Sequence, residues 1–158
     1  MKQTPIDATR TGVQRRTLVL AFAAGLAACG KRGTALLQPL AAGSAGMVWS
    51  NLTLQWCNDL PATFRELHRV LETDGLLIFS TFGPDTLKEL RAAFHGVDGH
   101  SHVNRFTDMH DLGDMLAHSG FAEPVMDMEI ITLTYADVKS VMQDLRDIVI
   151  GLRSSVRS

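Results

Sequence analysis

Residues 49–90 read WSNLTLQWCNDLPATFRELHRVLETDGLLIFSTFGPDTLKEL. In this stretch an apolar run ends at a polar Ser-Asn step, and the pattern of an amphipathic helix follows it. A second apolar run then ends in STFGP and leads into another helical pattern. Strands that alternate with helices are typical of a parallel α/β sheet. Such sheets bind ligands just outside the carboxyl ends of their strands, so the candidate binding segments are residues 50–56 and 80–85.

The composition is that of an ordinary globular domain. The chain has 158 residues, of which 46% are hydrophobic and 20% are charged, and its formal net charge is -2. A chain of this length suits one domain with a buried core. Because the chain has no overall positive charge, the composition does not favour nucleic acid as a partner.

Residues 1–46 are predicted to be an atypical N-terminal segment. Two arginines precede the apolar stretch 18–28, and Cys29 follows it. The stretch is too short to cross a bilayer as a helix, but it suits the core of a secretory signal. Residues 26–29 also resemble a lipoprotein processing site, at which Cys29 would be lipidated. The alternative is a buried helix of an intracellular protein, and the rest of the segment is predicted to be a linker.

An α/β domain with three strands is predicted over residues 47–150. A tail follows it at residues 151–158. Residues 47–54 form the first strand and its exit. The second strand, residues 76–82, is apolar on both faces at its start, as in a central parallel strand. The third strand, residues 125–135, has side chains that alternate with a period of two.

Four helices are predicted to connect and follow these strands. Asp59 is placed to cap the first helix and Asp108 the third, because their carboxylates accept hydrogen bonds from N–H groups of the first turn. The second helix follows the turn at residues 83–85. Gly120 is predicted to end the third helix and Gly151 the fourth, since glycine readily adopts the conformation that ends a helix.

Three motifs carry a resemblance to a known family. They are WSNL with LQW in residues 49–56, FSTFGPDTL in residues 79–87, and HVNRF with DMHD in residues 102–111. Through them the chain resembles the C-terminal half of a class I S-adenosylmethionine-dependent methyltransferase. The closer resemblance is to the malonyl-[acyl-carrier protein] O-methyltransferases of biotin synthesis.

The resemblance implies a partial Rossmann-like sheet with flanking helices, in which residues 47–52, 76–82 and 125–135 correspond to the family's strands four, five and six. No GxGxG turn occurs, and no Asp or Glu lies between Asp7 and Asp59. A class I enzyme uses both features to hold its cofactor. The first half of the sheet is therefore not recognisable, and a truncated member is expected. Without the family's last strand, which belongs between strands five and six, strand six would lack a neighbour.

The resemblance also implies the site residues, with S-adenosyl-L-methionine as cofactor. No metal is expected, because possible ligand residues do not have the spacing of a metal site. The implied cofactor-binding residues are Asn51, Leu52, Gln55 and Trp56. The implied substrate-binding residues, around an acyl pocket, are Ser80, Thr81, Phe82, Asn104 and Arg105. No catalytic residue is assigned, because the substrate carboxylate is already ionised near neutral pH and needs no general base.

Each assigned role has a structural alternative. Arg105 is the candidate to hold the malonyl carboxylate, since a guanidinium binds carboxylates in a bidentate manner, but it could equally be a surface arginine. Asn51 could be a turn-forming residue, and Trp56 could pack in the core. The implied partner, acyl-carrier protein, is acidic, and exposed cations of the helices could dock it. They are Lys88 and Arg91, or Lys139 and Arg146.

The sequence therefore predicts an enzyme that transfers a methyl group from S-adenosylmethionine to the free carboxylate of malonyl-[acyl-carrier protein]. The resemblance implies a cytoplasmic location, with no membrane contact unless Cys29 is lipidated. The alternative function is that of an exported lipoprotein with a non-enzymatic binding domain, lipidated at Cys29.

Overall fold

A parallel sheet lies at the centre of the fold. The computed structural model describes residues 17–20, 40–95, 97 and 103–154. Within that part the strands are β1 (Thr17–Leu20), β2 (Ala45–Asn51) and β3 (Leu71–Ser80). They lie in the order β1-β2-β3, and both pairs are parallel. The predicted α/β class with a parallel sheet is confirmed.

The helices follow the predicted pattern closely. They are a short 3-10 helix (Leu54–Trp56), α1 (Leu60–Val70), α2 (Lys88–Phe94), α3 (Met109–His118) and α4 (Val138–Ser154). As predicted, the Asp59 carboxylate accepts a bond of 2.9 Å from the backbone N–H of Ala62, and Asp108 caps α3 through the N–H of His110. Helix α4 continues past Gly151, where the sequence predicted its end, because a single glycine within a helix is tolerated.

The core lies between the sheet and two helices. One face of the sheet is covered by α1 and α3, with Val48 of β2 and Phe64 of α1 fully buried there. The Phe64 ring also contacts the Phe79 ring of β3, with 5.9 Å between their centroids. The amphipathic pattern of α1 predicts that one stripe of the helix is buried against the strands, and the structure confirms this.

The opposite face of the sheet is uncovered in the described part of the chain. Trp49 on β2 pairs in register with Ile78 on β3, and Leu76 lies two residues before Ile78 on the same face. Their exposed fractions are 48%, 45% and 53%, respectively. These three side chains therefore form an apolar surface that is open to water. This is unusual, because parallel sheets are normally covered on both faces.

The predicted third strand, residues 125–135, is not a strand in the structure. Its apolar side chains are in water, since Ile130, Ile131 and Leu133 are at least 70% exposed. Alternating apolar residues suit a strand, but strand formation depends on a neighbour with which to pair. No strand lies beyond β3 among the described residues, so the strand that the family places between its strands five and six, with which this segment was expected to pair, has no counterpart there.

The apolar stretch 18–28 begins in a strand rather than in a helix. Its first three residues belong to β1, which pairs with β2 through matches such as Leu18 with Val48. The buried-helix reading is therefore wrong over these residues, because a short apolar run suits a buried strand as well as a helix. Cys29 lies outside the described residues, and the division at residues 46 and 47 stays a prediction. Among the described helices, none has the length and apolar character needed to cross a membrane.

Candidate functional site

The carboxyl ends of β2 and β3 bring two predicted site residues together. Asn51 and Ser80 are register partners at the last position of their strands. The Ser80 hydroxyl donates a hydrogen bond of 2.5 Å to Oδ1 of Asn51. The same hydroxyl oxygen accepts a bond of 3.2 Å from the backbone N–H of Leu52. A residue predicted to bind cofactor and one predicted to bind substrate are thus joined directly.

The backbone turns sharply as it leaves β2. Leu52 has a φ of +46°, a left-handed conformation that is uncommon for residues other than glycine. Its carbonyl oxygen accepts a bond of 2.7 Å from Nε2 of Gln55, and the Thr53 hydroxyl donates one of 3.1 Å to the carbonyl of Asn51. We use the name β2 corner for residues 51–55, in which side chains satisfy the backbone groups that the sheet leaves open.

Four predicted residues surround one small cavity beside the β2 corner. Gln55, Thr81, Phe82 and Arg105 line a space of about 70 Å³. The Phe82 ring contacts the Phe106 ring edge-on, with centroids 5.4 Å apart. The residues around Arg105 therefore reach the end of β3, as the sequence predicted for an acyl pocket, although their roles stay predictions.

The other predicted residues do not line this cavity. Asn51 and Asn104 are exposed, and Trp56 is half-buried on the 3-10 helix. A pocket for a whole ligand usually measures roughly 300–1,000 Å³. At the strand ends, the described residues therefore do not enclose a space of that size.

A larger groove lies elsewhere, between α1 and α3. Its volume is about 360 Å³, and its lining includes Arg65, Asp111 and His118. None of the predicted site residues lines it. We take the strand ends as the candidate site, because ligands of open α/β sheets bind there.

Sequence reasoning missed the role of Arg91. It lay on the predicted exposed side of its helix, among the cations considered for docking a carrier protein. The structure instead has Arg91 half-buried, with its guanidinium donating bonds of 3.2 to 3.4 Å to the carbonyl oxygens of Pro84, Thr86 and Asn104. Arg91 therefore ties the loop after β3 to the backbone beside Arg105. No local pattern could reveal this, because the three carbonyls are brought together by the fold.

Comparison with known proteins places this site in context. Residues 7–79 match the protein family described as methyltransferase domain. The chain is 74% identical over 110 residues to the malonyl-[acyl-carrier protein] O-methyltransferase of Gallionella capsiferriformans (strain ES-2). It is 69% identical over 110 residues to the protein of the same name from Nitrosospira multiformis, and 50% identical over 110 residues to malonyl-[acyl-carrier protein] O-methyltransferase 1 of Coxiella burnetii.

The matches cover a large share of this chain but a small share of each relative. Each covers 70% of this chain but only 36 to 38% of the relative. The chain thus spans less than two fifths of the length of the curated relatives that it matches.

Proposed function

We propose that this chain, of which residues 7–79 match the family described as methyltransferase domain, is part of an S-adenosylmethionine-dependent O-methyltransferase. The proposed reaction methylates the free carboxylate of malonyl-[acyl-carrier protein], as a step of biotin synthesis in the cytoplasm. The observation that carries the proposal is the 74% identity to a protein named for this activity. Because the chain matches only 38% of that protein, the activity is proposed for the complete enzyme.

S-adenosylmethionine would supply a methyl group on a positively charged sulfur. The β2 corner suits the amino-acid end of this cofactor, since Asn51 is exposed and its amide nitrogen has no hydrogen-bond partner among the described residues. Leu52, Gln55 and Trp56 follow at the same end of the sheet. The cavity of about 70 Å³ fits only a fragment of such a ligand, so the remaining contacts belong to residues outside the described part.

The substrate carboxylate needs to be held in place rather than activated. Carboxylates have pKa values near 4 and are ionised at neutral pH. Arg105 is exposed and borders the cavity next to Thr81 and Phe82. Its guanidinium can bind the malonyl carboxylate in a bidentate manner, while Phe82 and Phe106 exclude water from one side. Positioning of this kind lowers the barrier by holding the reacting atoms close together.

The carrier protein is the proposed partner, and its acidic surface would need cations on this chain. Lys88 is engaged by Asp85, with 3.8 Å between Nζ and Oδ2, and both side chains are largely exposed. Lys139 and Arg146 are exposed on α4. Since Arg91 is already bound to backbone carbonyls, we propose the two cations of α4 as the better candidates for docking.

The test is a calorimetric titration of the folded chain with S-adenosylhomocysteine, followed by a mass-spectrometric assay for the methyl ester of malonyl-[acyl-carrier protein]. Saturable binding that Asn51→Ala weakens would support the cofactor assignment. Loss of ester formation in Arg105→Ala would support the substrate assignment. The control is Arg65→Ala, at an arginine of the distant groove, which should keep ester formation. Ester formation that is equal in wild type and Arg105→Ala would overturn it, and absence of binding by a folded chain would show that this part alone does not carry the activity.

A further inference from the structure

The left-handed conformation of Leu52 is the most constrained feature of the β2 corner. A positive φ is unfavourable for a branched side chain and persists only where the surroundings over-determine it. Two residues provide that restraint. The Leu52 N–H donates to the Ser80 carbonyl at 3.1 Å and to the Ser80 hydroxyl at 3.2 Å, and the Leu52 carbonyl accepts from Gln55 at 2.7 Å.

The Ser80 hydroxyl acts on both sides of this peptide unit. It accepts from the Leu52 N–H, and it donates its single proton to Oδ1 of Asn51 at 2.5 Å. Because Oδ1 accepts from Ser80, the amide nitrogen is the polar side-chain atom of Asn51 that is left for a ligand. That nitrogen has no partner among the described residues, and the side chain is exposed.

We propose that Ser80 is a positioning residue that holds the β2 corner and orients the Asn51 amide, rather than a residue that contacts the acyl substrate. The NH₂ group that remains is a hydrogen-bond donor only. It therefore suits a carboxylate and does not suit an ammonium group. This inference rests on the proposed function for the identity of the ligand, which is the carboxylate at the amino-acid end of the cofactor.

The first test uses the free chain and requires no ligand. Nuclear magnetic resonance would follow hydrogen exchange of the Leu52 amide and the side-chain amide signals of Asn51. In Ser80→Ala we expect Leu52 exchange to be about five-fold faster or more and the Asn51 amide signals to shift. Ser80→Thr keeps the hydroxyl and should restore both.

The matched control for the free chain is Thr81→Ala. Thr81 is the adjacent residue, and within the described part of the chain its hydroxyl makes a single, long contact of 3.4 Å with Oε1 of Gln55. Its removal should leave the Leu52 and Asn51 signals unchanged. Equal signals in wild type and Ser80→Ala, or equal changes in Ser80→Ala and Thr81→Ala, would overturn the positioning role.

The second test compares two ligands, S-adenosylhomocysteine and 5′-methylthioadenosine, which lacks the amino-acid end. Ser80→Ala should weaken the first about tenfold, or about 1.4 kcal/mol, and leave the second unchanged. The double variant of Ser80→Ala with Asn51→Ala should bind as Asn51→Ala does, because residues that act as a unit are not additive. Equal losses for both ligands, or additive losses, would overturn the proposal. If the wild-type chain binds neither ligand, the proposed function fails for this chain, while the exchange experiment still decides the role of Ser80.

Discussion

A Cβ atom added to Gly75 would lie 2.8 Å from the backbone carbonyl oxygen of Glu72. It would also lie 3.3 Å from the carbonyl oxygen of Ala45, at the place where the pairing of β2 with β3 shifts register. Both are backbone atoms, which cannot move aside as the end of a flexible side chain can. We therefore expect Gly75→Ala to lower the free energy of unfolding by about 2 kcal/mol, measured by urea titration.

Gly83→Ala is the matched control for this substitution. Among the described residues, apart from Gly83 itself and its two chain neighbours, none has an atom within 4 Å of an added Cβ, so the effect should stay within about 0.5 kcal/mol. An equal loss of stability in both variants would mean that close backbone contact at Gly75 is not the cause.

The exposed segment 125–135 should contribute little to stability. Leu116 of α3 is 3% exposed and lies in the core, whereas Leu133 is 70% exposed. Leu116→Ala is expected to cost about 3 kcal/mol, since it leaves a cavity, and Leu133→Ala less than about 0.5 kcal/mol. A large effect of Leu133→Ala in urea titration would show that the segment packs in solution.

The ion pair between Glu66 and Arg69 should make stability depend on pH. The hydrogen bond from Arg69, 2.6 Å long, holds the pKa of Glu66 below its usual value. A lowered folded-state pKa stabilises the protein above the unfolded-state pKa, and this contribution is lost as the pH falls through the folded-state pKa. Wild type should therefore exceed Glu66→Gln by about 0.5 kcal/mol near pH 7, and this difference should shrink as the pH falls through the acid range.

The pH experiment has an exposed glutamate as its control. Glu129 lies in the exposed segment, and Glu129→Gln should leave the free energy of unfolding unchanged at both pH values. A constant difference between wild type and Glu66→Gln at all pH values would exclude the ion pair as its origin.

The uncovered face of the sheet should cause self-association. Ile78 is 45% exposed beside Trp49 and Leu76, and exposed apolar patches favour contact between molecules. Ile78→Lys should lower the sedimenting mass at high concentration. Ile130→Lys adds the same charge at a residue that is 72% exposed in the segment 125–135, and it should change the mass much less. Equal effects would point to net charge rather than to the sheet face.

Local sequence signals predicted much of the fold. Asp59 and Asp108 mark helix starts because their capping bonds lie within three residues. The apolar pattern of α1 predicted its buried stripe for the same local reason. Segment 125–135 had an equally clear strand pattern, but a strand also requires a neighbour, and that condition is not local.

The candidate site was predictable in its location but not in its internal contacts. The position of Asn51 at a strand end predicted its place on the ligand-binding edge. That Ser80 contacts Asn51 depends on the register of two strands that are 29 residues apart at this point. Arg91 likewise reaches Asn104 only through the folded loop, so single-sequence patterns could not distinguish it from a surface cation.

Residues 125–135 are an accessible stretch without helix or strand, so they are open to proteases. A protease cleft accepts a chain that is accessible and not locked in secondary structure, and this segment, which ends in Leu133, Thr134 and Tyr135, meets both conditions. Cleavage there requires no unfolding of the core around Phe64. Chymotrypsin should therefore separate α4 from the sheet early, and a substitution that stabilises the core should not prolong the lifetime of the intact chain, because the lifetime is set by cutting at an already open site rather than by global unfolding.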